Sequence, residues 1–156
     1  CLIFGRGTEE YTVEMEQLIE KHSLQSRVVW KGFVENPGEI YPQIDILAAP
    51  SRCVEAFGLV AAEAGAHGIP VVCSDRGGLP EIVADGETGF VVPAFDPDRL
   101  ASALSVLVND PGLRDQMGRA AKARVSENFS AERMIVEHER HFAETAELWS
   151  KRRAGT

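Results

Sequence analysis

The stretch ILAAPSRCVEAFGLVAAEAGAHGIPVVCSD, residues 46–75, decides the fold. Ile46–Ala49 is a short apolar run without alternation, the pattern of a parallel strand covered on both faces. Pro50 breaks that run. A helical stretch follows from about Phe57 to His67 and stops at Gly68, the residue type that most readily ends a helix. Val71–Ser74 is the next apolar run. Strand, loop, helix, strand makes a βαβ unit, whose parallel strands require a right-handed crossover. Its helix carries Ala61, Ala62, Ala64, Gly65 and Ala66, small residues that let it lie close on a sheet.

Working outward, the same alternation continues on both sides. Leu2–Phe4 and Val28–Trp30 read as strands upstream, and Phe90–Val92 downstream. Thr8 can cap a helix whose first turn holds Glu9 and Glu10, with Tyr11, Met15, Leu18 and His22 as its stripe. A short helix is predicted over Pro37–Tyr41. In the last third, Asp96-Pro97 and Asp110-Pro111 are cap-then-proline start signals. Leu100, Leu104, Leu107 and Val108 form the stripe of the first of these helices, and the second runs to about Asn128. Ser130 caps a third helix with Ile135, Phe142, Ala146 and Trp149 on one face. Strand–helix alternation followed by helices is an open parallel α/β sheet with a helical C-terminal tail.

Composition bounds the function. Of 156 residues, 44% are hydrophobic and 26% charged, a globular balance that excludes disordered and fibrous classes. The net charge is −8, which repels a phosphate backbone and argues against nucleic-acid binding. The charge is uneven, −10 over residues 1–110 and +2 over 111–156. No apolar run approaches the ~20 residues of a membrane span, and no signal segment is visible. Three cysteines, Cys1, Cys53 and Cys73, lack metal-like spacing and read as reduced thiols in a cytoplasmic setting. The opening Cys1-Leu2-Ile3-Phe4 reads as a strand already under way, so a single domain spanning 1–156 and truncated at its N-terminus is expected.

In open α/β sheets, ligands bind beyond the carboxyl ends of the strands. Gly5-Arg6-Gly7-Thr8 follows the first strand and leads into a helix, offering free N–H groups to an anion, although the same residues also suit a plain tight turn. Glu55 lies in the loop after the third strand, and Glu63 lies within the helix that follows. A carboxylate among Leu59, Val60, Ala61, Ala62 and Ala64 needs partners: a ligand's hydroxyl pair, solvent or a structural arginine. Gly58 would let a phosphate approach the helix start. Ser74-Asp75-Arg76-Gly77-Gly78 reads as another backbone-rich anion or hydroxyl site, or as a loop. His138 and His141 lack the further ligands a metal would need.

These residues together resemble a known signature. EAFGLVAAE (55–63), the proline-serine ahead of it, HGIPVVCSDRGGLPEIVADGETGFVVP (67–93) and GFV (32–34) resemble the family 4 (group 1) retaining glycosyltransferases. The match is to the C-terminal, donor-binding domain of the two-domain GT-B fold, a Rossmann-like parallel sheet with helices on both faces. The resemblance implies a nucleotide-diphosphate sugar, UDP- or GDP-linked, as donor. It implies that Glu63 holds the ribose hydroxyls and that Glu55 reaches the sugar near the reacting carbon. Phe57, Gly58 and Leu59 would face sugar and diphosphate through their amides. Phe33-Val34 would meet the base, and Gly5 and Gly7 would lie beneath the nucleotide. The implied transfer retains anomeric configuration and uses no catalytic metal and no cofactor. The acceptor, a sugar or lipid-linked molecule, would bind an N-terminal domain that this chain lacks, so the fragment alone is expected to be inactive. The family's diphosphate-clamping arginine and lysine precede Cys1, and Arg6, Arg52 and Arg76 do not match their places. In the family the last helix crosses back to the other domain, which would leave an apolar face over part of Ile135–Trp149. Two rivals remain: a non-catalytic binding or interaction module on the same frame, and a sugar-nucleotide epimerase of GT-B fold. A mere scaffold would not need Glu55 together with Glu63, and an epimerase should show acid/base residues not seen here.

Overall fold

The computed structural model describes residues 1–154; Gly155 and Thr156, the end of the expected domain, lie outside the described residues. The backbone groups into two compact units, residues 1–45 and 46–156.

In the first unit, strand β1 (Leu2–Phe4) is followed by helix α1 (Glu9–Lys21) and strand β2 (Val29–Gly32). The strands pair in parallel, Leu2 opposite Val29 and Ile3 opposite Trp30. Thr8 caps α1 by accepting the Tyr11 N–H, and the first-turn carboxylates complement the helix dipole. The sheltered stripe of α1 is Thr12, Met15 and Ile19. Tyr11 and Leu18, predicted for that stripe, are exposed: the covered face is rotated by one residue from the expected one. Two single-turn helices, Pro37–Glu39 and Tyr41–Gln43, close the unit where one short helix was expected. Asn36 starts the first by accepting the Gly38 N–H.

The second unit runs β3 (Leu47–Ala49), α2 (Leu59–Ala66), β4 (Val71–Ser74), α3 (Leu79–Ile82), β5 (Gly89–Val92), α4 (Pro97–Asn109), α5 (Pro111–Asn128) and α6 (Ala131–Ala154). The hydrogen-bonded ladders thus divide the expected alternation into a two-stranded sheet and a three-stranded one, the latter in the order β3-β4-β5. All its pairings are parallel, with Leu47 opposite Val71 and Val71 opposite Gly89. The central strand β4 is buried along its whole length, which is why its sequence is apolar without alternation. Val72 packs with Val92, Leu107 and Met117, while Val71 borders Ala61 and Gly65. Adjacent residues of β4 therefore meet different helices, as a strand covered on both faces must.

The tail helices begin as their sequences dictate. Asp96 accepts the Arg99 N–H and Asp110 the Leu113 N–H, each ahead of a proline at the first helical position. Ser130 Oγ accepts the Arg133 N–H at the start of α6. On α4 the stripe is Leu100, Ala103, Leu104 and Leu107; Val108, expected there, is exposed because it falls past the end of the covered face. Lys151-Arg152-Arg153 continue α6, with Lys151 Nζ 3.7 Å from Glu147.

Candidate functional site

The loop between β3 and α2 is held at three points. The buried Ser74 hydroxyl donates to the Ser51 carbonyl at 2.6 Å. The Gly78 N–H donates to the Glu55 carbonyl at 2.8 Å. A Cβ on Gly77 would collide with that same carbonyl, and one on Gly78 would come 2.6 Å from the Phe57 carbonyl. The paired glycines are thus needed because two loops lie backbone to backbone. Of the two readings of this segment, the structure favours the loop: the Gly78 amide is already spent on Glu55.

The start of α2 is different. Gly58 occupies the N-cap position in the left-handed region, at φ 97°, and no side chain caps the helix. A Cβ there would press on the Leu79 side chain at 2.9 Å. Ala61 and Ala62 turn their N–H groups to the Gly58 carbonyl. The amides of Leu59 and Val60 precede any intrahelical acceptor, so the helix presents uncommitted donors and its positive dipole end. The side chains of Phe57, Leu59 and Val60 are all exposed around that start. Ala61, Ala62, Ala64 and Gly65 face the protein, whereas Glu63 is half-buried on the side shared with Leu59 and Val60. It stands about 6 Å along the axis from Leu59 at 1.5 Å per residue. Glu55 is also half-buried. Neither carboxylate is sealed in the core.

One residue that sequence reading missed supports this arrangement. Arg124 on α5 donates from Nε to the Ile82 carbonyl at 2.8 Å and from a terminal nitrogen to the Glu81 carbonyl at 2.7 Å. It caps the end of α3, whose Leu79 backs Gly58. Nothing local marks Arg124, because its partners lie more than forty residues away in sequence.

In the first unit, Gly5 adopts φ 126° and donates its N–H to the Gly32 carbonyl at 2.8 Å. Gly7 lies where a Cβ would meet the Tyr11 ring at 2.9 Å. The Arg6 guanidinium between them stacks 4.9 Å from the ring centroid of Phe33, which is exposed, with Val34 half-buried beside it. The glycine loop and the Phe33-Val34 segment, singled out separately, are therefore neighbours. Among the described residues, no group of three His, Cys, Asp or Glu side chains is placed to hold a metal. Nor is any described helix long and apolar enough to cross a membrane.

The strand-end loops, a helix start without a side-chain cap and two half-buried carboxylates stand at the end of the sheet where open α/β proteins take their ligands. The chain matches the family model "Glycosyl transferases group 1" over residues 1–124, and it belongs to that family. N-acetyl-alpha-D-glucosaminyl L-malate synthase of Bacillus anthracis is 32% identical over 138 residues, covering 88% of this chain and 35% of that protein. The C-terminal domain of a group 1 family protein (LpcC) from Francisella tularensis superposes with a TM-score of 0.72 at 28% identity, covering 79% of this chain and 64% of that one. HepE from Anabaena, solved in complex with UDP-glucose, gives 0.80 at 28% identity, covering 94% of this chain and 40% of that one. The architecture is that of the C-terminal domain of GT-B glycosyltransferases. The chain spans about a third of the length of the curated relative.

Proposed function

We propose that this chain is the donor-binding part of a glycosyltransferase that moves a sugar from a UDP- or GDP-sugar with retention of anomeric configuration. The observation that carries the reading is the start of α2, which has no side-chain cap, with half-buried Glu55 in the loop ahead of it and half-buried Glu63 on the helix side that carries the exposed Leu59 and Val60. In this reading the Gly58 and Leu59 amides meet the diphosphate, where the helix dipole favours negative charge. Glu63 accepts from the ribose hydroxyls. Glu55 accepts from the donor sugar and orients the reacting carbon. Phe33-Val34 meet the base, and Gly5 and Gly7 let the nucleotide approach the backbone. The chemistry is positioning and neutralisation of a leaving diphosphate, without a catalytic metal or cofactor. That HepE holds UDP-glucose on a similar frame supports the donor class. The acceptor, a sugar or lipid-linked molecule, is met by a further domain, the setting is cytoplasmic, and this chain alone turns over no sugar.

The test is titration of the chain with UDP and UDP-glucose, followed by amide chemical shifts. Glu63→Gln keeps the shape of the side chain and removes its charge. Losing a charge-assisted hydrogen bond costs roughly 1.5–3 kcal/mol, so affinity should fall about 10-fold or more. Unchanged affinity in a folded variant would reject the ribose role.

A further inference from the structure

The carboxyl ends of β3, β4 and β5 border a second feature, a cleft of about 360 Å³. Pro50, Val92, Pro93 and Leu100 give it apolar walls, and Arg52 and Phe95 stand at it. None of the residues assigned above to the nucleotide sugar lines it.

Two unfavourable features coincide here. Phe95 adopts φ 65°, the left-handed region that non-glycine residues avoid, and the residue is 60% exposed. Arg76 Nε is buried without a hydrogen-bond partner. Asp75 Oδ1 lies 3.9 Å from it and already accepts the Ala94 N–H at 2.9 Å. Backbone strain and unsatisfied buried polar atoms gather at ligand sites.

The left-handed turn presents the Phe95 ring to two cations. The Arg52 guanidinium lies 4.9 Å from the ring centroid and that of Arg76 5.6 Å. Stacking uses the flat face of a guanidinium and leaves its N–H edge for a carboxylate or phosphate. Of the nearby acids, Asp96 lines the cleft and caps α4 through the Arg99 N–H, and Asp75 holds Ala94; both keep their negative charge, so the oxyanion must sit on the arginine side.

We propose that this cleft binds a small molecule joining an oxyanion, carboxylate or phosphate, to a flat apolar body. The oxyanion meets the edge of Arg52 with Arg76 adding positive potential, and the body lies against Phe95 and the prolines. The volume is within the roughly 300–1,000 Å³ usual for small-ligand pockets. The cleft shares no lining residue with the donor site, although Arg52 lies on the loop that carries Glu55, and competition with UDP decides whether the two are independent.

Phenyl phosphate, benzoate and benzyl alcohol, titrated against the chain and followed by amide shifts, test this. One or both oxyanions should saturate, about 10-fold tighter than the alcohol, with shifts centred on residues 92–97. Binding of only one assigns the ligand as phosphate ester or carboxylate. Arg52→Gln should weaken binding about 10-fold and Arg52→Lys less, since Lys keeps the charge without the fork. Phe95→Leu, which keeps apolar bulk and removes the ring, should also weaken it. UDP should leave the probe in place. The proposal is overturned by no saturable binding up to about 10 mM, by equal binding of the alcohol, by equal binding in a folded Arg52→Gln variant, or by displacement with UDP.

Discussion

The β4–α2 block and the helix α6 invert the usual link between size and packing. α2 has 8 residues, five of them alanine or glycine, and four of these are buried. α6 has 24 residues, and its Ile135, Phe142, Leu148 and Trp149 are all more than half exposed. A helix of eight residues is too short to persist by itself, so α2 exists because its surroundings hold it. Gly65 packs where a Cβ would come 2.7 Å from the Val125 side chain, an approach only the smallest residue allows. In α6, local order comes from side chains of the helix itself, such as the ion pair of Arg140 with Glu137 at 2.6 Å. The first region is fixed by tertiary contact and the second by its own helix.

That contrast should break most visibly at Gly77. Gly77→Ala puts a Cβ into the Glu55 backbone at a residue with φ 58°. The loop must move, at about 3 kcal/mol from overpacking and backbone strain together. Urea denaturation would show it as a lowered midpoint with the slope unchanged. A midpoint within error of the parent's would mean that the two loops do not lock together.

Alkaline titration sharpens the same contrast. Burial pushes the Cys73 thiol up from 9.0 to about 12, and the Asp85 carboxylate adds to the shift. The folded state therefore holds this proton more tightly than the unfolded chain does. The thiol's contribution is fully present below pH 9 and declines as pH rises toward 12, by about 1.4 kcal/mol per unit across that window. Cys73→Ser replaces the thiol with a group that does not titrate there. Its stability should fall less steeply over that window, and parallel profiles would reject the burial argument. Cys1 and Cys53 are exposed, so a thiol reagent should reach them in the folded chain and Cys73 only on unfolding.

Much of this architecture was legible in the sequence because its signals are local. Thr8, Asp96, Asp110 and Ser130 act on amides only three residues away, so their caps could be placed before any contact was known. The apolar runs located every strand, with shifts of a residue or two at their ends. Tyr11 and Val108 fell outside the expected stripes because periodicity fixes the spacing of a face but not which neighbour covers it. At the candidate site, Glu55, Gly58 and Glu63 stood out through one contiguous motif. The role of Gly77-Gly78 depends on backbone atoms about twenty residues earlier, and Arg124 caps carbonyls on a distant helix. The Arg52–Phe95–Arg76 stack joins three separate loops, so no spacing rule could announce it.

The smallest expected effect is the one that tests the α6 half of the comparison. Phe142→Ser and Trp149→Ser remove large apolar groups, and in a packed core such truncations would cost about 3–5 kcal/mol. At 73% and 62% exposure these side chains have little transfer energy to lose. Each variant should therefore unfold within about 0.5 kcal/mol of the parent in urea. Serine is only slightly poorer than these aromatics as a helix former, if at all, so propensity adds no confounding term. A loss of 2 kcal/mol or more, beyond that of a typical surface change, would mean that α6 is packed in solution. Its length would then reflect tertiary burial, as in α2, and the contrast between the two regions would fail.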